Sequence, residues 1–226
     1  LNEKFDHSSV DTVFMALPHG VSQNFVKLYY DKLQIIDLSA DFRLDDIEIY
    51  KKNYNEKHSA SNLLNEFQYG LVEINRAFLI NKKNIAVPGC YPTSCLIPLI
   101  PLLKNEIIDS RNIIIDSKSG YSGAGKKFDL ENIKNPKDYN FYNYNTNSHR
   151  HICEIKQELM KHAKLSDVLF SFNPHILPNF RGMLSTMYCD LLPGMNKNNV
   201  INCLNEIAIN NEFIKFIHND QRADFF

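Results

Sequence analysis

No stretch of the sequence approaches the ~18–20 consecutive apolar residues of a membrane-crossing helix. Neither sign of charge is in excess: 25 Lys and Arg stand against 26 Asp and Glu, a formal net charge of -1. With no polybasic run, that balance argues against nucleic acid and against a membrane surface as principal partners. The five cysteines (Cys90, Cys95, Cys153, Cys189 and Cys203) are odd in number and include no CxxC pair. A disulfide framework or a zinc site is therefore not expected, and a reducing cytoplasm fits. There is no internal repeat and no long linker. The opening residues, Leu1-Asn2-Glu3-Lys4, show neither an initiator Met nor a signal-peptide layout, so the chain reads as the middle of a longer protein. No G-x-G-x-x-G turn precedes residue 12; either the fold does not bind a dinucleotide or that unit lies upstream.

What is present is a globular composition. The 226 residues are 44% hydrophobic and 23% charged, enough for a sizeable core in one large domain or two small ones. Thr12 to Leu17 is a short apolar run closed by Pro18-His19-Gly20, which predicts a buried parallel strand. Ser22 is placed to cap a helix through Phe25, Val26, Leu28 and Tyr29. Gln34–Leu38 predicts a second strand ending at Ser39-Ala40-Asp41, and Ile85–Val87 a third ending at Pro88-Gly89-Cys90. Strand, helix, strand with apolar strands is the grammar of an α/β doubly wound sheet, whose ligands sit beyond the carboxyl ends of the strands. The second half reads as α+β. Ser94–Ile108 is expected to be helical, bent or delayed by Pro98 and Pro101. Asn112–Asp116, Asp167–Phe172 and Leu184–Leu191 are expected to be strands, His151–Lys164 a helix, and Val200–His218 helical in its first half. Lys134–Ser148 is expected to be a loop.

Four segments carry candidate chemistry. Cys90 lies between a strand end and a helix start, where backbone N–H groups and the helix dipole favour thiolate and can hold an oxyanion. The same residue also suits a small buried side chain at a tight turn. Ser117 to Gly125 holds three of the eight glycines. It reads either as a loop after a strand that presents N–H groups to phosphate or backbone to a flat nicotinamide, or as a hairpin turn. Ser148-His149-Arg150-His151 offers a general base and an anion clamp, or a solvated helix start; His149 and His151, two apart, do not share a helix face for a metal. Asn173 to Gly182 places His175 and Arg181 in a Pro-stiffened loop, either a substrate wall or a rigid turn. Asp41 and Arg43 read as a structural ion pair or turn. Cys95, Cys153, Cys189 and Cys203 read as core residues.

Taken together, the segments resemble the N-acetyl-γ-glutamyl-phosphate reductases of arginine biosynthesis, within the aspartate-semialdehyde and glyceraldehyde-3-phosphate dehydrogenase-like superfamily. The resemblance rests on Ala16-Leu17-Pro18-His19-Gly20, Ile36 to Arg43, Tyr69-Gly70-Leu71 with Glu73 and Arg76, and Pro88 to Thr93. It continues through Ser119-Gly120 to Gly125, His149-Arg150-His151 with Glu154-Ile155, and Pro174-His175 with Pro178 and Arg181-Gly182. It spans about residues 12 to 190, in the family's order. It implies a partial Rossmann-like nucleotide-binding domain over 1–89, then an α+β catalytic domain over 90–226 with a mixed or antiparallel sheet. The glycine-rich turn and a terminal strand and helix of the family are absent, so a fragment is expected.

The resemblance implies an NADP-dependent oxidoreductase that converts an acyl phosphate to an aldehyde through a thioester on Cys90. His149 or His151 would serve as acid or base, with His149 preferred, and Arg150, His175 and Arg181 would grip substrate. Pro18, His19, Gly20 and Ser39 would border the nucleotide; Ser119, Gly120, Ser122, Gly123, Ala124 and Gly125 would line the nicotinamide end. No metal is implied, and a homo-oligomer is common in the family. Rival readings are a sister acyl-phosphate reductase (aspartate-semialdehyde dehydrogenase, or the lysine-pathway enzyme acting on aminoadipyl phosphate), a non-catalytic module that keeps the fold, and a metal hydrolase using His149, His151 and His175.

Overall fold

The first apolar run does form a strand, β1 (Thr12–Met15), but at the edge of its sheet. Only Met15 is buried and Phe14 is 69% exposed, so the fully buried strand expected from the run is not what forms. The computed structural model describes residues 6–123 and 140–217. These fall into two compact units, one ending at Thr93 and the other starting at Ser94.

In the first unit, β1 leads into α1 (Ser22–Tyr29), β2 (Gln34–Asp37) and α2 (Ile47–Tyr54); then come β3 (Phe67–Tyr69), α3 (Val72–Leu79) and β4 (Asn84–Ala86). The strand order is β1-β2-β4-β3, and every pairing is parallel. This is the doubly wound sheet that the apolar strands predict. Strand β3 was not legible, because Phe67-Gln68-Tyr69 is three residues long with a polar centre. Gly70 follows it where a Cβ would lie 2.5 Å from the Ile85 side chain, so β3 and β4 leave their ends only if that residue is glycine. Apolar residues from the strands and α1 (Met15, Phe25, Val26, Ile35 and Ala86) form the core with Leu33, Phe42 and Leu63.

A long helix, α4 (Cys90–Lys104), starts at Cys90 itself and not four residues later. Its start is fixed by Gly89, whose carbonyl accepts from both the backbone N–H and the hydroxyl of Thr93, each at 2.9 Å. Pro92 falls in the first turn, where helix geometry uses no N–H. Pro98 and Pro101 lie inside the helix without delaying it. Each withholds one N–H, from the carbonyls of Ser94 and Ile97 respectively. Packing sustains the helix instead: Cys95, Leu96, Leu99 and Ile100 are buried.

The second unit is built on β5 (Ile108–Gly120), β6 (Tyr142–Asn143), β7 (Phe170–Leu177) and β8 (Met183–Leu191), with α5 (His151–Ala163) between β6 and β7 and α6 (Lys197–Ile209) after β8. The sheet order is β6-β7-β5-β8. Strand β5 runs parallel to β7 and antiparallel to β8, giving the mixed sheet expected. Two loop expectations are corrected here. Ser117–Gly120 is not a loop but the end of β5: Ser117 to Gly120 pair with Pro174–Leu177, and Ser117 to Ser119 with Met183–Ser185. Asn173–Leu177 likewise belongs to β7, which leaves only residues 178–182 as connection. Small and prolyl residues suggested turns, but pairing on both edges of β5 overrides local preference.

Strand alternation gives this sheet two distinct faces. Ile113, Ile115, Ser117, Phe172 and Ser185 lie on one, which is buried or half-buried. Ile114, Asp116, Lys118, His175, Leu184 and Tyr188 lie on the other, where Leu184 is 53% and Tyr188 57% exposed. Among the described residues no helix is long and apolar enough to cross a membrane.

Candidate active site

The carboxyl ends of β1, β2 and β4 are neighbours, so the segments that follow them gather on one edge of the first sheet. These are Pro18-His19-Gly20, Ser39-Ala40-Asp41 and Gly89-Cys90. Cys90 is exposed there as the first residue of α4. The other thiols differ. Cys95 and Cys203 are buried. Burial pushes both Cys153 and Cys189 up to about 11, and raises Cys203 as well. Cys153 and Cys189 are half-buried, less deeply set than the core positions expected for them.

The segments beside Cys90 are held by a buried polar network. The Asp41 carboxylate accepts from the Gly20 N–H, the Ser22 hydroxyl and the Tyr50 hydroxyl. Ser22 is therefore not the helix cap its position suggested; Val21 is the flanking residue and makes no side-chain cap. Ala40 N–H donates to His19 Nδ1 at 3.2 Å, which places the neutral ring's proton on Nε2. Gly20 has φ +79°, a left-handed turn that brings its amide onto Asp41. The Arg43 guanidinium donates to the Leu38 carbonyl at 2.8 Å, so Asp41 and Arg43 belong to a built turn and not to the surface. Small residues and fixed amides at three strand ends suit a nucleotide that must approach backbone closely.

Asp37 closes the network, accepting from the Ser39 N–H and hydroxyl. Burial pushes its carboxyl up to about 6, against those two hydrogen bonds. A raised acid pKa means that the folded state holds the extra proton between about pH 4 and 6, so stability falls as pH rises through that window. Asp37→Asn keeps an acceptor for the Ser39 N–H and can donate to its hydroxyl. The variant is expected to be more stable than wild type at pH 8 by roughly 1–3 kcal/mol, with the gain shrinking below pH 6. Urea denaturation at pH 8 and pH 4.5 checks this; an equal difference at both pH values would refute it.

In the second unit, His149 and His151 are both buried, their ring centroids 4.7 Å apart. His149 packs edge-on against Tyr144 and Phe172, with centroids at 5.5 and 5.6 Å. The His151 backbone N–H donates to His149 Nδ1 at 3.1 Å, which leaves the neutral ring's proton on Nε2. Burial, with the neighbouring Arg150 charge, pulls His149 down to about 4. At neutral pH it is an uncharged ring with an N–H to offer. Arg150 is exposed at the N-terminal flank of α5.

The remaining sequence-predicted residues separate. Phe172 is on the buried face of the mixed sheet, so His149 is on that side too. His175 is on the opposite face, its Nδ1 3.2 Å from Asp116 and 3.3 Å from the Ser117 carbonyl, and Lys118 forms an ion pair with the same Asp116. Arg181 is exposed, its guanidinium over the Phe180 ring. The amides of Gly120, Tyr121 and Ser122 donate to the carbonyls of Gly182, Asn179 and Phe180. A Cβ on Gly120 would meet those backbone atoms at 2.8–2.9 Å, so this glycine admits the 179–182 turn. Ser119 is buried and donates to the Gly120 carbonyl, and a Cβ on Gly123 would lie 2.8 Å from its oxygen. Ala124 and Gly125 lie outside the described residues. Among the described residues no group of three or more His, Cys, Asp or Glu is placed to hold a metal ion.

Residues 2–81 match the family model for the semialdehyde dehydrogenase NAD binding domain, and residues 90–225 match that for the semialdehyde dehydrogenase dimerisation domain. An N-acetyl-gamma-glutamyl-phosphate reductase of Caldicellulosiruptor bescii is 46% identical over 211 residues, covering 93% of this chain and 61% of that protein. A probable chloroplastic N-acetyl-gamma-glutamyl-phosphate reductase of Arabidopsis thaliana is 42% identical, covering 94% of this chain and 53% of its own length. Among solved structures, aspartate semialdehyde dehydrogenase II from Vibrio cholerae has the same fold, with a TM-score of 0.67 at 16% identity over 91% of this chain and 63% of that one. The chain thus spans about half to three-fifths of the length of the curated relatives it matches.

Proposed function

Because the chain belongs to the semialdehyde dehydrogenase family, we propose that it is the part of a cytoplasmic N-acetyl-γ-glutamyl-phosphate reductase that carries the nucleophile and its acid, with NADPH as reductant. The observation that carries this reading is Cys90: an exposed thiol at the first position of a 15-residue helix, beyond the carboxyl end of β4. A helix start favours thiolate and gives an attacking sulfur a place to accept substrate.

The Cys90 sulfur attacks the acyl-phosphate carbonyl, the C–O bond to phosphate breaks, and phosphate leaves with the electron pair. A thioester remains. The hydride that reduces it would come from NADPH when that cofactor is bound. The C–S bond of the resulting hemithioacetal then breaks, releasing semialdehyde and returning thiolate. His149 serves this chemistry as a neutral donor: its Nε2–H is fixed by the His151 amide on the other ring nitrogen and can stabilise charge on the reacting oxygen. His151 orients that ring and stands as the alternative acid or base. Arg150 and Arg181, both exposed, offer planar forks to phosphate or carboxylate; His175, expected with them, lies on the sheet face opposite His149 and is not assigned to the substrate. Pro18, His19, Gly20 and Ser39 border the nucleotide; the Ser119–Gly123 segment, continuing to Ala124 and Gly125, borders the nicotinamide.

Phosphate-dependent oxidation of semialdehydes by the full-length protein tests the assignment. N-acetylglutamate semialdehyde is expected to be turned over at least ~10²-fold more efficiently than aspartate semialdehyde, and NADP faster than NAD. A preference for aspartate semialdehyde would move the protein to the sister activity.

We also propose that a second copy of the chain covers the exposed face of the mixed sheet. Ile114, Leu184 and Tyr188 form an apolar patch there, around the polar side chains of Asp116, Lys118 and His175. Leu184→Glu with Tyr188→Glu is expected to give a folded monomer in sedimentation velocity. An unchanged oligomer would place the interface elsewhere.

A further inference from the structure

Three hydroxyls meet where α4 crosses the mixed sheet. Ser94 of α4 is 2.7 Å from Ser185 of β8, and Ser117 of β5 is 2.7 Å from the same Ser185 oxygen. The Cys95 sulfur is 3.9 Å from that oxygen as well. Ser117 and Ser185 are register partners, so the pair is fixed by the sheet itself. Buried apolar residues flank the trio along these elements: Ile113, Ile115 and Phe172 on the same sheet face, and Leu96 and Leu99 in α4.

Apolar packing is non-directional. A helix that presents Leu, Ile and Cys to a sheet can shift along its axis by a fraction of an ångström at little cost. Two hydroxyl contacts of 2.7 Å cannot follow such a shift, and a polar group left unpaired in a half-buried site costs about 1–3 kcal/mol. The trio therefore sets the axial position of α4. Ser94 lies four residues after Cys90, about 6 Å along the axis and on nearly the same helix face. What fixes Ser94 fixes the helix turn that carries the exposed thiol.

Resting on the reading of Cys90 as nucleophile, we propose that Ser185 is a positioning residue: by bridging Ser117 and Ser94 it holds the first turns of α4, and so the Cys90 sulfur, in the place the reaction needs. It touches neither substrate nor cofactor in this role.

Ser185→Ala and Ser185→Thr in the full-length reductase test it. Misplacing a reacting atom by about 1 Å can cost on the order of 10²-fold, so the alanine variant is expected to lose ~10–100-fold in kcat with KM within about twofold. Threonine restores the hydroxyl and is expected to recover most of the rate. Alkylation of Cys90 by iodoacetamide at pH 7 needs no positioning and is expected to stay within about twofold of wild type. A kcat within twofold in the alanine variant, a loss that threonine does not rescue, or a parallel fall in alkylation would each overturn the proposal. Should Ser185→Ala fail to fold, Ser94→Ala removes the same bond from the helix side and is expected to give the same kcat loss. Failure of the nucleophile reading has a separate mark: Cys90→Ser would then keep full activity whatever Ser185 does.

Discussion

Cys90→Ser is expected to fold as wild type and to lose at least ~10³-fold in reductase rate, with no acyl adduct on the protein. Folding should survive because Cys90 is exposed and serine is nearly isosteric, at a helix start where serine is well tolerated. The rate should not, because the step needs a sulfur. A serine hydroxyl, far less acidic than a thiol, stays protonated at neutral pH even at a helix start. No other cysteine substitutes for it. Cys95 and Cys203 are buried, and Cys153 and Cys189 are held protonated at neutral pH by burial. Intact-mass spectrometry of wild type and variant, each mixed with N-acetyl-γ-glutamyl phosphate without cofactor, reads the adduct directly; initial rates read the turnover. A variant retaining more than about 1% of the wild-type rate would sink the thioester route. The same reasoning predicts selectivity in the wild-type protein: iodoacetamide at pH 7 should label Cys90 and leave the others largely unmodified.

The parts of this fold that could be read from the chain were those where local pattern and final environment agree. Gln34–Asp37, marked by Ile35 and Ile36, sits in the sheet interior between β1 and β4. His151–Ala163 has helical apolar spacing and ends at Lys164, whose φ of 54° closes the helix as a left-handed cap. The failures came where pairing partners far along the chain decide the outcome. Ser117–Gly120 has the composition of a turn, but strands about 60 residues later bond to both of its edges. The same distance hid the Ser94–Ser117–Ser185 trio: each serine is unremarkable in its own segment, and Ser185 is one of two adjacent polar residues in an apolar strand, with Thr186 beside it. Cys90 stood out because its neighbours are chemically distinctive, and the strand end and helix start expected around it are what form. What could not be read is which side of the sheet each histidine takes, since that depends on the register of β7, and a one-residue slip would exchange His175 with the buried face.

His149→Asn is expected to cost ~10²–10⁴-fold in kcat/KM with little change in fold. Asparagine can keep the contact with the His151 amide, since its carbonyl can accept that N–H as the ring nitrogen does. It cannot reach where Nε2–H points, so it removes the donor and spares the scaffold. The pH dependence separates this role from a charged-acid role. His149 is pulled down to about 4 by burial, so the ring is neutral and its Nε2–H is present through pH 7. If His149 sets the acid limb of kcat/KM, that limb falls near pH 4 and not near the ordinary histidine value of about 6.5. Stability carries the same sign. A histidine whose folded pKa is depressed stabilises the protein above its unfolded value, and that contribution is lost as pH falls from about 6.5 to 4. His149→Asn should therefore narrow the loss of stability over that interval. NMR titration of the ring checks the premise: a midpoint near 6.5 would show a solvated, chargeable imidazole and return the donor role to His151.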